Sequence, residues 1–198
     1  DDGYGSSIRR IMERKKEMPG IQGVVADLIQ VDKDYEVAIE TALGGSIQNI
    51  VTDNEQTAKR LIEYLKKNRY GRATFLPLTS VRSRGGFSQE EALREPGVVG
   101  LASGLVQTAP QYRELVKYLL GRTLVVKEMD FAIAIGRKYH HSLRMVTLEG
   151  ESFSPGGSMT GGAYKNNSNL LGRRREIEEL AAAVKAHQEE LEKIQADQ

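Results

Sequence analysis

The sequence predicts a mixed α/β (α+β) globule with a helical segment at each end. Through the middle of the chain, short runs of β-branched and apolar residues alternate with stretches of helical apolar spacing. Glycine and proline separate most of these runs, as expected at turns between elements. With 198 residues, of which 39% are apolar and 28% charged, the chain is large enough to bury a core without disulfides or metals.

The first half contains three predicted strands separated by two helices. After Pro19-Gly20 ends an initial helix, a strand or a strand plus turn is expected over 23–31, and strands are expected over 47–52 and 73–76. The apolar faces of the two helices consist of Tyr35, Ala38, Ile39, Ala42 and Leu43 in the first and of Ala58, Leu61, Ile62 and Leu65 in the second. Asp53 or Asn54 provides the second helix with an N-cap, and Gly44-Gly45 and Gly71 provide stop signals.

The second half repeats this alternation without a strict sequence repeat. Residues 82–97 are polar and contain glycine, which predicts a loop or a boundary between two related halves. Residues 98–106 are apolar but interrupted by glycine, and strands are expected over 123–126, 145–148 and 151–153. Helices are expected over 112–120 and 132–139, the first of them ending at Gly121.

The two ends of the chain carry apolar residues at alternating spacings of three and four, the pattern of a coiled-coil seam. The residues in this pattern are Ile8, Ile11, Lys15 and Met18 at the start, and Ile177, Leu180, Val184, His187, Leu191 and Ile194 at the end. Two interpretations are open: the helices pack on the globule, or they pack on each other as the antiparallel stubs of a longer coiled coil. The second pattern has no stop signal, which favours the stubs.

A glycine-rich segment at 155–162 is the most distinctive motif of the chain, with four glycines in seven positions. Such a segment serves as a phosphate cradle, as a flexible loop, or as a place where another backbone approaches closely. The phosphate-binding Walker pattern requires Lys and Ser or Thr after the last glycine, but Ala163 and Tyr164 follow here. Pairing with another chain at a sheet edge is therefore the favoured use.

Composition excludes several classes of function. The chain has no cysteine, so it forms no disulfide, thiolate metal site or thiol nucleophile. Its apolar runs are too short to span a membrane, and its acidic, polar start does not resemble a signal peptide. The net charge is +1, so any contact with nucleic acid requires a local basic cluster. The three histidines form no metal-binding or catalytic arrangement, and we expect no metal site.

Several motifs in register resemble the hinge of structural maintenance of chromosomes (SMC) proteins of the bacterial type. The resemblance covers roughly residues 19–172, with coiled-coil patterns on both flanks. Its motifs are Gly-Val-Val-Ala-Asp-Leu-Ile at 23–29, Ala-Leu-Gly-Gly at 42–45, Gly-Arg-Ala-Thr-Phe-Leu-Pro-Leu at 71–78, Thr-Leu-Glu-Gly at 147–150, and the glycine-rich segment at 155–162.

The resemblance implies a four-part organisation and self-association. The parts are an N-terminal coiled-coil stub (1–18), hinge subdomain I (19–95), hinge subdomain II (96–172) and a C-terminal coiled-coil stub (173–198). SMC hinges homodimerise as a ring-like pair with two equivalent contacts. The glycine pairs of the family lie at those contacts, and here they are Gly156, Gly157, Gly161 and Gly162.

The resemblance also implies weak, salt-dependent DNA binding without sequence specificity, through basic residues near the junction with the coiled coil. Lys165 matches the basic tract of the family, whereas Asn166 and Asn167 follow it. The run of Arg173, Arg174 and Arg175 lies nearby, and the basic residues of 9–16 are expected to converge with it.

The remaining expectations concern the longer protein that the resemblance implies. SMC ATPase motifs lie near the chain termini of the full protein and are absent here, so this segment is not expected to be an enzyme or to bind a cofactor. ATP and Mg²⁺ are implied for the distant heads. A cytoplasmic, nucleoid-associated protein of chromosome condensation and segregation is expected. Two alternatives stay open: a nucleotide- or small-ligand-binding α/β domain, and a monomeric spacer within a coiled coil.

Overall fold

The computed structural model describes residues 5–83, 85–163 and 170–196 and shows a mixed α/β fold, as the sequence predicts. The strands are β1 (Ile21–Val24), β2 (Ile29–Val31), β3 (Ile50–Thr52), β4 (Phe75–Pro77), β5 (Val98–Leu101), β6 (Val106–Thr108), β7 (Thr123–Val126), β8 (Arg144–Thr147), β9 (Ser152–Phe153) and β10 (Met159–Thr160). The helices are α1 (Ser6–Met12), α2 (Val25–Leu28), α3 (Glu36–Leu43), α4 (Glu55–Asn68), α5 (Arg113–Leu120), α6 (Met129–Lys138) and α7 (Leu170–Ala196).

A three-stranded sheet lies in the first half, in the order β1-β3-β4. Strand β3 pairs antiparallel with β1 and parallel with β4. Helix α4 begins where Asn54 accepts a hydrogen bond from the Thr57 N–H at 3.0 Å, which is the predicted N-cap. Its buried residues Leu61 and Leu65 pack with Ile50 of the sheet and with α1 in one apolar cluster.

A five-stranded sheet lies in the second half, in the order β10-β9-β8-β7-β5. Strands β7 and β8 pair in parallel, and the other neighbours pair antiparallel. One face packs against α6, where Leu124, Ala132, Met145 and Phe153 share an apolar cluster. The order places β10 at the end of the sheet.

The two halves share a core. Strand β2 of the first half pairs antiparallel with β6 of the second, and the Thr108 hydroxyl donates to the Leu28 carbonyl at 2.6 Å. The largest apolar cluster also draws on both halves and reaches Leu171 at the start of α7. Ala92, which precedes the boundary predicted at 95/96, packs with the second half, so the division into subdomains stays a prediction.

The boundaries of several elements differ from those that the sequence predicts. Over 23–31, where a strand or a strand plus turn is predicted, the single turn of α2 separates β1 from β2 and allows them to join different sheets. Helix α4 ends at Asn68 and is followed by Arg69 in a left-handed conformation (φ 54°), two residues before the predicted stop at Gly71. By contrast, the strand over Thr123–Val126 and the stop after Leu120 are confirmed.

The two terminal helices differ in length and burial. Helix α1 has seven residues and buries Ile8 and Ile11 on the globule. Helix α7 has 27 residues, and beyond its first turn the residues of the predicted stripe are exposed. The pairing of 1–18 with 173–198 as coiled-coil stubs stays a prediction. In the described part of the chain, none of the helices has the combination of length and apolarity that crossing a bilayer requires.

Candidate functional site: a glycine hairpin at a sheet edge

The glycine-rich segment forms a β-hairpin in which Gly156 and Gly157 make the turn between β9 and β10. Both glycines have a left-handed φ, 101° and 105°. The Gly157 N–H donates to the Ser154 carbonyl at 3.0 Å, and the Ser154 N–H donates to the Ser158 carbonyl at 2.9 Å. The tight turn therefore requires these two glycines locally, whatever else they contact.

The register of the hairpin determines which backbone groups face the open edge of the sheet. Ser154 and Ser158 form a hydrogen-bonded pair, so the next pair, Phe153 and Met159, is a non-hydrogen-bonded one. The N–H and C=O of Met159 consequently point away from β9, toward the edge. Its side chain is 53% exposed. The edge thus presents both backbone groups and an apolar side chain.

The space around the four glycines differs from one to the next. A Cβ atom at Gly156 or Gly162 would meet no heavy atom within 4 Å, whereas at Gly157 it would lie 3.6 Å from the His141 ring. At Gly161 it would come within 3.0 Å of Cγ of Glu151. Gly162 has a left-handed φ of 137°, and Gly161 does not. Open space at Gly156 and Gly162 leaves room for a second backbone.

The hairpin rests on a second unusual stretch of backbone. His140 and His141 follow α6 and have left-handed φ values of 58° and 55°. The His141 N–H donates to the Gly136 carbonyl, and its own carbonyl accepts the Gly156 N–H, both at 2.7 Å. The backbone of His141 therefore links the hairpin turn to α6, and this link depends on two successive residues with left-handed φ values.

A groove runs beside β10, between the end of α3 and the start of α7. Its volume is about 490 Å³, and its walls include Glu40, Gly44, Thr160, Gly161 and Leu170. The glycine-rich segment contributes the end of β10 and the residues after it to the wall of this groove. Residues 161–163, which directly follow β10, are not helical, so in the described residues no helix begins immediately after the glycines, as it does in phosphate-binding loops.

The first two turns of α7 are anchored to the globule by acidic residues of α2 and α3. Arg175 Nε donates to Oε1 of the buried Glu36 at 2.7 Å. Nη1 of Arg174 lies 3.6 Å from Oδ1 of Asp27. Oε1 of Glu40 accepts the Leu171 N–H at 2.9 Å. Burial raises the pKa of the Glu40 carboxyl, although this hydrogen bond opposes the increase.

These contacts divide the predicted DNA-binding residues into three groups. Arg174 and Arg175 are engaged with acidic partners, and Arg173 is exposed. Lys165 lies outside the described residues. Of the N-terminal basic residues, Lys15 has its Nζ 4.0 Å from the Cβ position of Gly23, just before α2. Lys15 and the arginine run therefore both border α2, whereas Arg10 stacks on Tyr70 just after α4 and Arg14 stacks on Tyr64 of α4.

Met159 and the acidic anchors of α7 are not among the residues that the sequence predicts for the site. A signal was present for Glu36, because it lies on the apolar face of α3, three residues before Ile39 and seven before Leu43. A carboxylate on a buried face requires a cationic partner. No comparable signal exists for Met159, because its outward direction depends on the pairing register of two-residue strands.

Comparison with known proteins identifies the family of this chain. The family described as "SMC proteins Flexible Hinge Domain" matches residues 18–136. The chain is 45% identical over 181 residues to the chromosome partition protein Smc of Bacillus subtilis and 46% identical over 184 residues to that of Desulfitobacterium hafniense. Each alignment covers 90% of this chain but 15% of the relative, so the chain spans a small part of their length.

Two solved structures share the fold. The SMC hinge domain of Geobacillus stearothermophilus, crystallised as an asymmetric dimer, is 43% identical with a TM-score of 0.84, covering 94% of this chain and 76% of that one. The hinge of the Pyrococcus furiosus SMC protein is 35% identical with a TM-score of 0.67, covering 82% and 83%. By its sequence, its family match and its fold, this chain belongs to the SMC hinge family.

Proposed function

We propose that this domain is the homodimerisation hinge of a chromosome-organising protein of the bacterial Smc type. The observation that carries the proposal is the open edge of β10, flanked by Gly156-Gly157 and Gly161-Gly162. An exposed edge strand pairs readily with another chain. The glycines remove the side chains that would keep a second backbone at a distance.

The exposed stripe of α7 supports the same proposal. Ile177, Leu180, Val184, Leu191 and Ile194 are each about half exposed or more in the described structure. An apolar stripe of this length on a solvated helix calls for an α-helical partner. We therefore place 173–198, with 1–18, at the root of a coiled coil that would carry the hinge at its end. ATP hydrolysis would belong to other parts of such a protein.

Solution molar mass across a range of protein concentrations tests the dimer. The chain weighs 22.0 kDa. Light scattering is expected to give about twice that mass and to keep it on dilution, as for an isologous pair. A mass of 22.0 kDa at every concentration would contradict the proposal and favour the monomeric spacer.

A proline at Met159 tests the β10 edge itself. Met159→Pro removes an N–H that points away from the hairpin, so the hairpin keeps its own hydrogen bonds while the edge loses a donor. We expect a folded monomer, as we do when bulkier residues replace the four glycines. Met159→Ser, which keeps the N–H, is the matched control and should remain dimeric. The proline variant is the cleaner test, because three of the glycines have left-handed φ values that any substitution would strain.

The proposed secondary role is sequence-independent DNA contact near the junction with the coiled coil, through Lys165 and the arginine run. Reversing all three arginine charges would place a carboxylate against Glu36 and disturb the fold. Arg173→Gln avoids this problem because Arg173 is exposed. It is expected to weaken duplex binding and lower the slope of log affinity against log salt by about 1, at unchanged dimer mass. An unchanged slope would exclude Arg173 from the contact.

A further inference from the structure

His141 lies between helix α6 and the turn of the glycine hairpin. A Cβ atom at Gly136 of α6 would lie 3.5 Å from Nδ1 of the His141 ring, and a Cβ atom at Gly157 of the turn would lie 3.6 Å from the same nitrogen. The imidazole therefore fills space that two glycines leave open, one on the helix and one on the turn. This contact adds to the backbone hydrogen bond between His141 and Gly156.

The same ring lines a second groove, on the α6 side of the hairpin, which we name the His141 groove. Its volume is about 250 Å³, and most of its walls are apolar, among them Ile133, Leu143 and Phe153. Met159, whose backbone groups and exposed side chain form the β10 edge, lines the same groove. A second copy that pairs with β10 at Met159 would therefore cover part of the His141 groove.

No carboxylate lines the described walls of the His141 groove. Arg137 is the second ionisable residue in these walls, so a protonated imidazole would add a like charge to the groove. Lys138, the next residue of α6, is paired with Glu95 at 2.6 Å. The C-terminal carbonyls of α6 favour a cation at His141, but they do so in the single chain and in a dimer alike. The other charged residues of the helix and strands that form the walls are Asp130 and Arg144.

We propose that self-association at the β10 edge favours the neutral form of His141, so that the dimer weakens as the pH falls through the range in which histidine titrates. In the single chain His141 is exposed, and water solvates its charge. A second copy over the His141 groove would remove part of this water and leave the charge in an apolar groove with Arg137. The inference rests on the proposed function, because it requires a dimer formed at β10.

The direction of the effect follows from proton linkage. If the charged imidazole is less favourable in the dimer, the dimer binds fewer protons than two separate chains. The dimer is therefore most stable above the titration range of the histidine, and it loses stability as the pH falls through that range. For histidine side chains this range lies between about pH 5 and pH 8. A dimer contains two copies of His141, so the slope of log Kd against pH reaches at most about 2 in magnitude.

Subunit exchange between dimers labelled with donor and acceptor fluorophores measures the dissociation rate at each pH. The chain has no cysteine, so a cysteine introduced at the exposed Lys33 can carry the label. We expect exchange to be roughly tenfold faster at about pH 5.5 than at about pH 8, because changes at an interface act mainly on the dissociation rate. His141→Asn should remove this difference, since asparagine does not titrate and tolerates the left-handed backbone at this position.

His140→Asn is the matched control. His140 has the same left-handed backbone, but it is not among the described residues that line the His141 groove. This variant should keep the pH dependence of the wild type. Arg137→Gln removes the like charge and keeps the histidine, so it should reduce the difference between the two pH values. It provides the decisive comparison if His141→Asn does not dimerise.

The outcomes separate this inference from the proposed function. A wild-type dimer that exchanges equally fast at both pH values would overturn the inference and leave the proposed dimer intact. A pH dependence that persists in His141→Asn, or that disappears equally in His140→Asn, would also overturn it, because another group would then be responsible. A chain that is monomeric at every pH would contradict the proposed function and, with it, this inference.

Discussion

The two terminal helices carry the same apolar spacing but have opposite environments. In α1, Ile11 is completely buried against the globule, whereas in α7 Leu180 is 67% exposed. Helix α7 contacts the globule mainly at its start, where Leu171 is buried and Glu40 and Glu36 bind the first and second turns. Heptad spacing therefore identifies which face of a helix is apolar, but it does not identify what covers that face.

The largest expected difference between the two helices is the cost of removing one apolar side chain. Ile11→Ala is expected to lower the free energy of unfolding by about 2–4 kcal/mol, because it opens a cavity in a packed cluster. Leu180→Ala should change it by less than about 0.5 kcal/mol, because most of the side chain is in water. Urea unfolding at one fixed protein concentration measures both, since the stability of a dimer depends on concentration.

Equal losses in the two variants would contradict this contrast. They would show that the stripe of α7 is covered in solution, for example by a second copy of α7.

Loss of the Glu36–Arg175 ion pair at the base of α7 is expected to have the next largest effect on stability. Glu36→Gln removes the charge that Arg175 binds at 2.7 Å in a buried position. The melting temperature should fall by less than in Ile11→Ala and by more than in Leu180→Ala. Glu179→Gln, which removes the exposed partner of Arg175, is the control and should have little effect. If the two glutamine variants have the same melting temperature, the ion pair between Glu36 and Arg175 does not anchor the helix.

The smallest predicted effect is a pH dependence at Glu40. Burial raises the pKa of this carboxyl in the folded chain, so its protonated form is favoured by folding. Stability that depends on Glu40 is therefore complete below the ordinary pKa of glutamate and decreases as the pH rises through the raised value. Glu40→Gln should accordingly gain melting temperature relative to wild type between about pH 4 and pH 7. A constant difference over that range would contradict the assignment.

The sequence was sufficient to predict the alternation of elements because most of them are set by local signals. Asn54 at the start of α4, Gly44 after α3 and Gly121 after α5 act within one turn of the helix. The interruption at α2 was not predictable in this way. The apolar run there suits either a strand or a buried turn, and the competing sheets of the two halves determine the outcome.

The candidate site was predictable in part. The glycines and the arginine run were visible as motifs, because composition alone makes them stand out. The partners of Arg174 and Arg175 lie some 140 residues away in sequence, so no spacing rule connects them. The packing of α1 on α4 has the same long-range origin.

The most direct test of the central claim is amide hydrogen exchange at β10 as a function of protein concentration. If a second copy docks at this edge, the Met159 N–H should be protected at every concentration at which the molar mass is that of the dimer, and should exchange freely in the monomeric glycine variants. The Thr160 N–H, which the register directs at Ser152 within the hairpin, should be protected in both and provides an internal reference. A dimeric wild type in which the Met159 N–H exchanges as fast as in the monomeric variants would contradict the account, because the dimer contact would then lie elsewhere.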